Sequence, residues 1–233
     1  MKNHNRLIDS LNRVKENFLI KNPNSFERWQ KAKEVMPGGN TRTVLHYEPF
    51  PLAVDRGVGT HLYSLDNNCY LDFLGEYSAG LYGHSNSKIL NAIKGAVDSG
   101  LVLGAPNKWE GLLAEELCLR FNSIDRVRFT NSGTEANLMA IGAARAFTGR
   151  DKVMVFDGSY HGGVLYFKDN LSPVNAPYNI IKTRYNEVAR TVELIKENAA
   201  DLAAVLVEPM LGSGGCIPAL SLIHISEPTR RTP

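Results

Sequence analysis

Cysteine is scarce: Cys69, Cys118 and Cys216 are three in number and far apart. That pattern offers neither a disulfide framework nor a metal knuckle, and each reads as a small buried or half-buried thiol. A bias of charge is also missing. The formal net charge of +2 is too small to argue for nucleic acid or an anionic membrane as a partner. No apolar run reaches membrane-spanning length, and Met1 to Arg6 lead into a charged amphipathic stretch without an apolar signal core. These absences set the expectation of a cytoplasmic protein. Two nucleotide motifs are lacking as well. There is no G-x-x-x-x-G-K-[ST] and no G-x-G-x-x-G at the strand-to-helix turn, which leaves no P-loop and counts against a dinucleotide-binding protein.

What is present is ordinary for a globular chain: 43% hydrophobic and 21% charged residues over 233 positions, enough for one or two domains. Leu7, Leu11, Val14 and Phe18 recur at helical spacing until Pro23-Asn24-Ser25. A second helix is expected over Phe26 to Met36, closed by Pro37-Gly38-Gly39, and the pair reads as a packing arm. Segments 52–56, 60–65 and 70–73 alternate and are separated by turn residues, which predicts an antiparallel meander. From Gly83 helices alternate with apolar strands: helices over 87–97, 110–120 and 188–199, strands over 127–130, 152–157, 179–183 and 203–207. Such alternation predicts an α/β fold whose mostly parallel sheet is covered on both faces.

The chain is organised around Arg128-Phe129-Thr130-Asn131-Ser132-Gly133-Thr134-Glu135. A strand-like run enters a helix through a turn, with Ser132 and Glu135 at capping-box spacing, so that each side chain would satisfy the other's backbone N–H. A capping box needs no ligand. The same N–H groups at the positive end of a helix would also seat a phosphate, and Gly133 would let an anion approach the backbone. Two further segments follow predicted strands: Gly158-Ser159-Tyr160-His161-Gly162-Gly163 and Glu208-Pro209-Met210. Ligands of open parallel sheets bind at those carboxyl ends, which favours the phosphate reading. Tyr160 reads either as an aromatic covering the strand end or as a flat ring for stacking on a flat ligand. His161 reads as a hydrogen-bonded histidine of a turn, with no second ligand at metal spacing. Glu208, after five apolar residues and before Pro209, is either a solvated carboxylate or one aimed into the rim.

Taken together, PGGNTR (37–42), FLGEYSAGLYGHS (73–85), RFTNSGTEANLMAIGAARAFTGRDKVMVFDGSYHGG (128–163) and VLVEPMLGSGGCIP, ending at Pro218, resemble the class III aminotransferases of pyridoxal-phosphate fold type I. Within that class the chain looks closest to the glutamate-1-semialdehyde aminomutase branch and its transaminase cousins acting on β-amino acids. The resemblance implies pyridoxal 5'-phosphate as cofactor, with Ser132, Gly133 and Thr134 at its phosphate, Tyr160 against its ring and Glu208 on the same rim. It makes Arg42 a candidate clamp for a substrate carboxylate, since a guanidinium fork matches one bidentately. A surface arginine in a loop is the alternative. Amino acids and oxo-acids are the implied substrates, Schiff-base exchange the chemistry, and a homodimer the assembly. An intramolecular aminomutase and a non-catalytic phosphate-binding protein are the rival functions.

The resemblance runs from about Pro37 to Ala219 and then stops. The family's aspartate at the pyridine nitrogen and its Schiff-base lysine match no position here, so the chain by itself is expected to be inactive. The string from Leu220 to Arg230 resembles a translated sequencing-library adaptor, and fold reasoning leaves out 220–233. The expected division is therefore an arm over 1–36, a small β segment over 37–82, a partial cofactor-binding domain over 83–219 and a non-native tail over 220–233. The strand before Glu208 would have an open neighbour position in the sheet, an edge that predicts poor solubility.

Overall fold

The heptad-like recurrence of Leu7, Leu11, Val14 and Phe18 forms helix α1 (Lys2–Lys21) in a computed structural model that describes residues 2–168 and 172–220. The chain divides into two compact units, residues 1–105 and 106–233, each described by itself. In the first, Pro23 stands at the start of α2 (Pro23–Lys33), where a missing N–H costs the helix nothing. The next amides are capped from a distance. The Asp66 carboxylate accepts from Asn24 N at 2.7 Å, Ser25 N at 3.1 Å and Ser25 Oγ at 2.6 Å. Helix α2 ends at Lys33, short of the expected Met36, and a 3-10 turn over Pro37–Gly39 follows.

Asp66 sits in the turn of a three-stranded antiparallel meander, β1 (Val54–Val58), β2 (His61–Ser64) and β3 (Cys69–Leu71), as the alternation predicts. Helices α1 and α2 share one aromatic core with the segment that precedes β1. Phe50 is fully buried, with Phe18, Phe26 and Trp29 ring centroids 4.9, 5.2 and 6.0 Å from its own. Asn22, also buried, ties the pieces together: its amide donates to Phe18 O at 2.8 Å and accepts from Asn68 and from the Tyr70 hydroxyl. Helix α3 (Ser87–Asp98) closes the unit, capped by the Asn86 side chain.

The second unit begins with α4 (Lys108–Arg120) and then places α5 (Gly133–Thr148) before the sheet. Strands β4 (Lys152–Phe156), β5 (Asn179–Thr183) and β6 (Leu202–Val205) pair in parallel in the order β5-β4-β6, with α6 (Val188–Glu197) as the crossover. Central β4 is covered on both faces, which is why Val153, Met154 and Val155 form an unbroken apolar run without exposure. Ile141 of α5 packs with Val153, Val155, Leu165 and Phe167 as the core. Gly149, in the left-handed region at φ 67°, ends α5, its N–H donating to Arg145 O at 2.9 Å. A hairpin of β7 (Met210–Leu211) and β8 (Ile217–Pro218) follows the sheet.

One predicted strand is absent. Val127 to Thr130 join no ladder, because no strand among the described residues pairs with them. β6 likewise has β4 on one side and no ladder partner on the other among those residues. The adaptor-like tail, apart from Leu220, lies outside the described residues.

Candidate functional site

The start of α5 is built as the S-x-x-E spacing implies, with one change. Ser132 is extended (φ −155°, ψ 160°) and its Oγ accepts from Glu135 N at 3.2 Å. The Glu135 carboxylate reaches one residue further back than a capping box requires, accepting from Asn131 N at 2.8 Å rather than from Ser132 N. The amides of Gly133 and Thr134, which neither capping side chain accepts from, have no acceptor among the described residues. Space is open around Gly133: a Cβ there would meet nothing within 4 Å. Two N–H groups without an acceptor among the described residues, the Ser132 hydroxyl and the positive end of a 16-residue helix are groups whose chemistry suits an anion.

Against this turn lies the loop that leaves β4. Gly158 (φ 79°) turns the chain, and the buried Ser159 hydroxyl donates to Phe156 O at 2.7 Å. Tyr160 N donates to Glu208 Oε1 at 2.9 Å, while the Tyr160 ring, 42% exposed, meets Tyr166 edge-on at 5.6 Å. Gly163 N donates to Thr134 Oγ1 at 3.1 Å, and Asn137 Nδ2 to His161 O at 2.7 Å. Gly162 (φ 132°) passes so close to α5 that a Cβ would stand 2.3 Å from Thr134 Oγ1.

Glu208 is half-buried and hydrogen-bonded through both oxygens. Its second oxygen accepts from Gly212 N at 3.2 Å, so one carboxylate ties the Tyr160 loop to the β7 hairpin. Its backbone carbonyl accepts from the Tyr185 hydroxyl at 2.7 Å. Burial, followed by the charge of Glu208, pushes the Tyr185 phenol above its ordinary range. His161 differs from its expected role as a hydrogen-bonded histidine. The residue is 7% exposed and its Nε2 has no partner among the described residues. Burial lowers its pKa, against the opposing charge of Glu208, so the imidazole is neutral at neutral pH.

The rim of the second unit thus brings together Ser132, Gly133, Thr134, Tyr160 and Glu208. Arg42 belongs to the first unit, in the turn after Gly38 and Gly39, where its guanidinium is ion-paired with Glu76. Glu76, Asp72 and His84 line a cavity of about 520 Å³ there, with Trp29, Met36 and Leu74 among its apolar walls. Sequence reasoning passed over Asn137, Gly162 and Glu76. A signal existed for the first: Thr134 and Asn137 are three apart on a helix and so share one face.

An α/β unit with a parallel sheet, whose β4 loop meets the start of α5, is of the class of fold that binds ligands at its strand ends. The model of the family described as Aminotransferase class-III matches residues 44–222, and the chain belongs to that family. It is 47% identical over 201 residues to the beta-phenylalanine transaminase of Variovorax paradoxus, covering 86% of this chain and 46% of that protein. The crystal structure of the beta-phenylalanine aminotransferase from that organism superposes with a TM-score of 0.88 at 45% identity, over 91% of this chain and 49% of that one. A transaminase solved with pyridoxal phosphate bound gives 0.78 at 32% identity, over 85% and 50%. The glutamate-1-semialdehyde 2,1-aminomutase of Methanocaldococcus jannaschii is 34% identical over 212 residues, covering 85% of this chain and 50% of that protein. The architecture is accordingly a partial fold-type-I transferase fold, and the chain spans about half the length of the curated relatives it matches.

Proposed function

We propose that this chain carries the cofactor seat of a pyridoxal-phosphate-dependent amino-transfer enzyme whose amine donor is a β-amino acid and whose acceptor is an oxo-acid. The observation that carries the reading is the first turn of α5, whose Gly133 and Thr134 amides have no acceptor among the described residues, lying against the Tyr160 loop. The residues fit the group. The amides of Gly133 and Thr134 would hold the phosphate, joined by the Ser132 hydroxyl, which accepts from Glu135 N and keeps its own proton to donate. Thr134 accepts from Gly163 N and likewise retains a proton. The half-exposed Tyr160 ring offers a flat apolar face, and the orphaned His161 Nε2 fits a rim completed by something bound.

When bound, pyridoxal phosphate supplies a carbonyl for the amine and a ring that withdraws electrons beside it. The chain's own contribution is orientation. Glu208 holds the Tyr160 backbone and the 212 turn in fixed relation, and backbone amides neutralise the phosphate without reorganising. Arg42 would hold the substrate carboxylate. The transaminase reading is favoured over the aminomutase by the higher identity, 47% against 34%. The proposal includes a cytoplasmic homodimer for the longer enzyme and the division into arm, β segment, cofactor domain and tail. It also includes a 233-residue chain that binds the cofactor without turnover, since no lysine matches the family's position.

The test is a titration of the purified chain with pyridoxal phosphate, followed by cofactor fluorescence, alongside Ser132→Asp. Saturable binding tighter than about 1 mM, abolished by the added charge at Ser132, is expected. Absence of saturation, or indifference to Ser132→Asp, overturns the seat. For the longer enzyme, failure of a β-amino acid to aminate an oxo-acid acceptor would sink the transaminase reading.

A further inference from the structure

Thr134 and Asn137 occupy one face of α5, and both bonds from that face end on the loop that carries Tyr160. The Asn137 amide donates to the His161 carbonyl, the residue after Tyr160, at 2.7 Å in a part-buried setting. Gly162 lies flat on Thr134 because it has no Cβ to hold it away. From the other side Glu208 takes the Tyr160 N–H at 2.9 Å. The loop is therefore pinned on either flank of the ring, by Glu208 before it and by Asn137 after it. Among the described residues the Asn137 side chain makes its hydrogen bond to the His161 carbonyl and none to Ser132, Gly133 or Thr134.

We infer that Asn137 is a positioning residue: through the His161 carbonyl it sets the height of the Tyr160 ring above the anion-binding turn. This rests on the cofactor-seat reading. The residue type follows from the chemistry. The His161 carbonyl needs a donor, which an aspartate of the same shape lacks and whose charge would repel the carbonyl oxygen. Serine is too short to reach from the helix.

Asn137 then has a signature that a merely structural residue would lack. It governs affinity for a ligand with both a phosphate and a ring, but not for phosphate alone. The experiment measures pyridoxal phosphate and inorganic phosphate binding by titration calorimetry, with the intact chain, Asn137→Ala, Asn137→Asp, Tyr160→Ala and the double variant Asn137→Ala/Tyr160→Ala. Both Asn137 variants are expected to weaken pyridoxal phosphate about tenfold, the worth of one hydrogen bond, with inorganic phosphate unchanged. In the Tyr160→Ala background the Asn137→Ala change should add nothing. Unaltered phosphate binding also reports that the variants fold. Equal loss of both ligands, additive losses in the double variant, or full affinity in Asn137→Asp overturns the inference alone. No pyridoxal phosphate binding by the intact chain overturns the cofactor seat and this inference with it.

Discussion

The first turn of α5 and the turn at Arg42 both present positive charge, but in opposite states. At α5 the charge resides in backbone N–H groups with no acceptor among the described residues, and the motif's own carboxylate, Glu135, is turned back to Asn131 N. At Arg42 the charge is on a long side chain already paired with Glu76. That pairing is held at a cost. Gly75, Glu76, Tyr77 and Ser78 have φ of 53, 49, 52 and 81°, a left-handed run that disfavours side chains by roughly 1–2 kcal/mol per residue. Asp72 holds the run in place, accepting from Leu74 N at 2.9 Å and Gly75 N at 3.0 Å, with His84 Nε2 at 2.9 Å. On the proposed function, the contrast is between a seat where an arriving anion would displace water and one where it would have to compete with a carboxylate. Fixed backbone dipoles suit a permanent phosphate; an exchangeable ion pair suits a ligand that comes and goes.

The sharpest way to break the first half of that comparison is Gly162→Ala. The new Cβ would stand 2.3 Å from Thr134 Oγ1 and 2.7 Å from its Cα, at a φ of 132°. Strain and overpacking together should cost roughly 2–5 kcal/mol and detach the loop from α5. Gly163→Ala, with nothing within 4 Å of the added carbon, is the control and should change stability by less than about 1 kcal/mol. Urea denaturation measures both. Equal midpoints for the two variants would mean that the loop does not rest on the helix.

What could be read beforehand was whatever is local. The Ser132 cap follows from spacing, and the buried β4 follows from the unbroken run of Val153 to Val155. Both depend on residues within a few positions of one another. Val127 to Thr130 have the composition of a strand but lack a ladder partner among the described residues, and no pattern within a segment reveals its neighbour. The Arg42–Glu76 pair spans 34 residues and depends on a left-handed turn that no motif announces. Glu208 was legible as a carboxylate at a strand end, but not as the acceptor of two loop amides, which come from residues before and after it. His161 was misjudged because burial is a property of the assembled rim. The site's residue types were visible; its cross-ties were not.

The two units should also part company in acid. The buried, neutral His161 has a folded pKa below its unfolded value of about 6.5, so the unfolded chain binds the extra proton first. Its contribution is whole above that unfolded value and is lost as pH falls from there through the folded pKa. Glu208, whose charge favours the imidazolium, moderates the loss without reversing it. Asp72 in the first unit is lowered chiefly by the Gly75 N–H, with His84 also acting on it. Its contribution is complete above the unfolded pKa of about 3.9 and falls through the lower folded value. The second unit is expected to weaken between neutral pH and pH 5 while the first holds. Trp29 and Trp109 fall in different units, so single-tryptophan variants can follow each by fluorescence in urea. His161→Phe should flatten the response of the second unit. Parallel acid sensitivity of both units, or an unchanged slope in His161→Phe, removes this distinction.

The smallest effect is expected at the ion pair itself. Arg42 and Glu76 have side chains 46% and 47% exposed, and pairs in that setting contribute about 0–1 kcal/mol. Glu76→Gln should therefore shift the stability of the first unit by less than about 1 kcal/mol. Its consequence should appear in binding instead, because the substitution removes the carboxylate with which an incoming anion competes. Benzoate, titrated against the chain, should bind more tightly to Glu76→Gln than to the unaltered protein, and not measurably to Arg42→Ala. A large stability loss with no gain in benzoate affinity would assign the pair to holding the left-handed turn in place. Arg42 would then be a structural counter-ion, and the opposition between an open seat and an exchangeable one would fall with it.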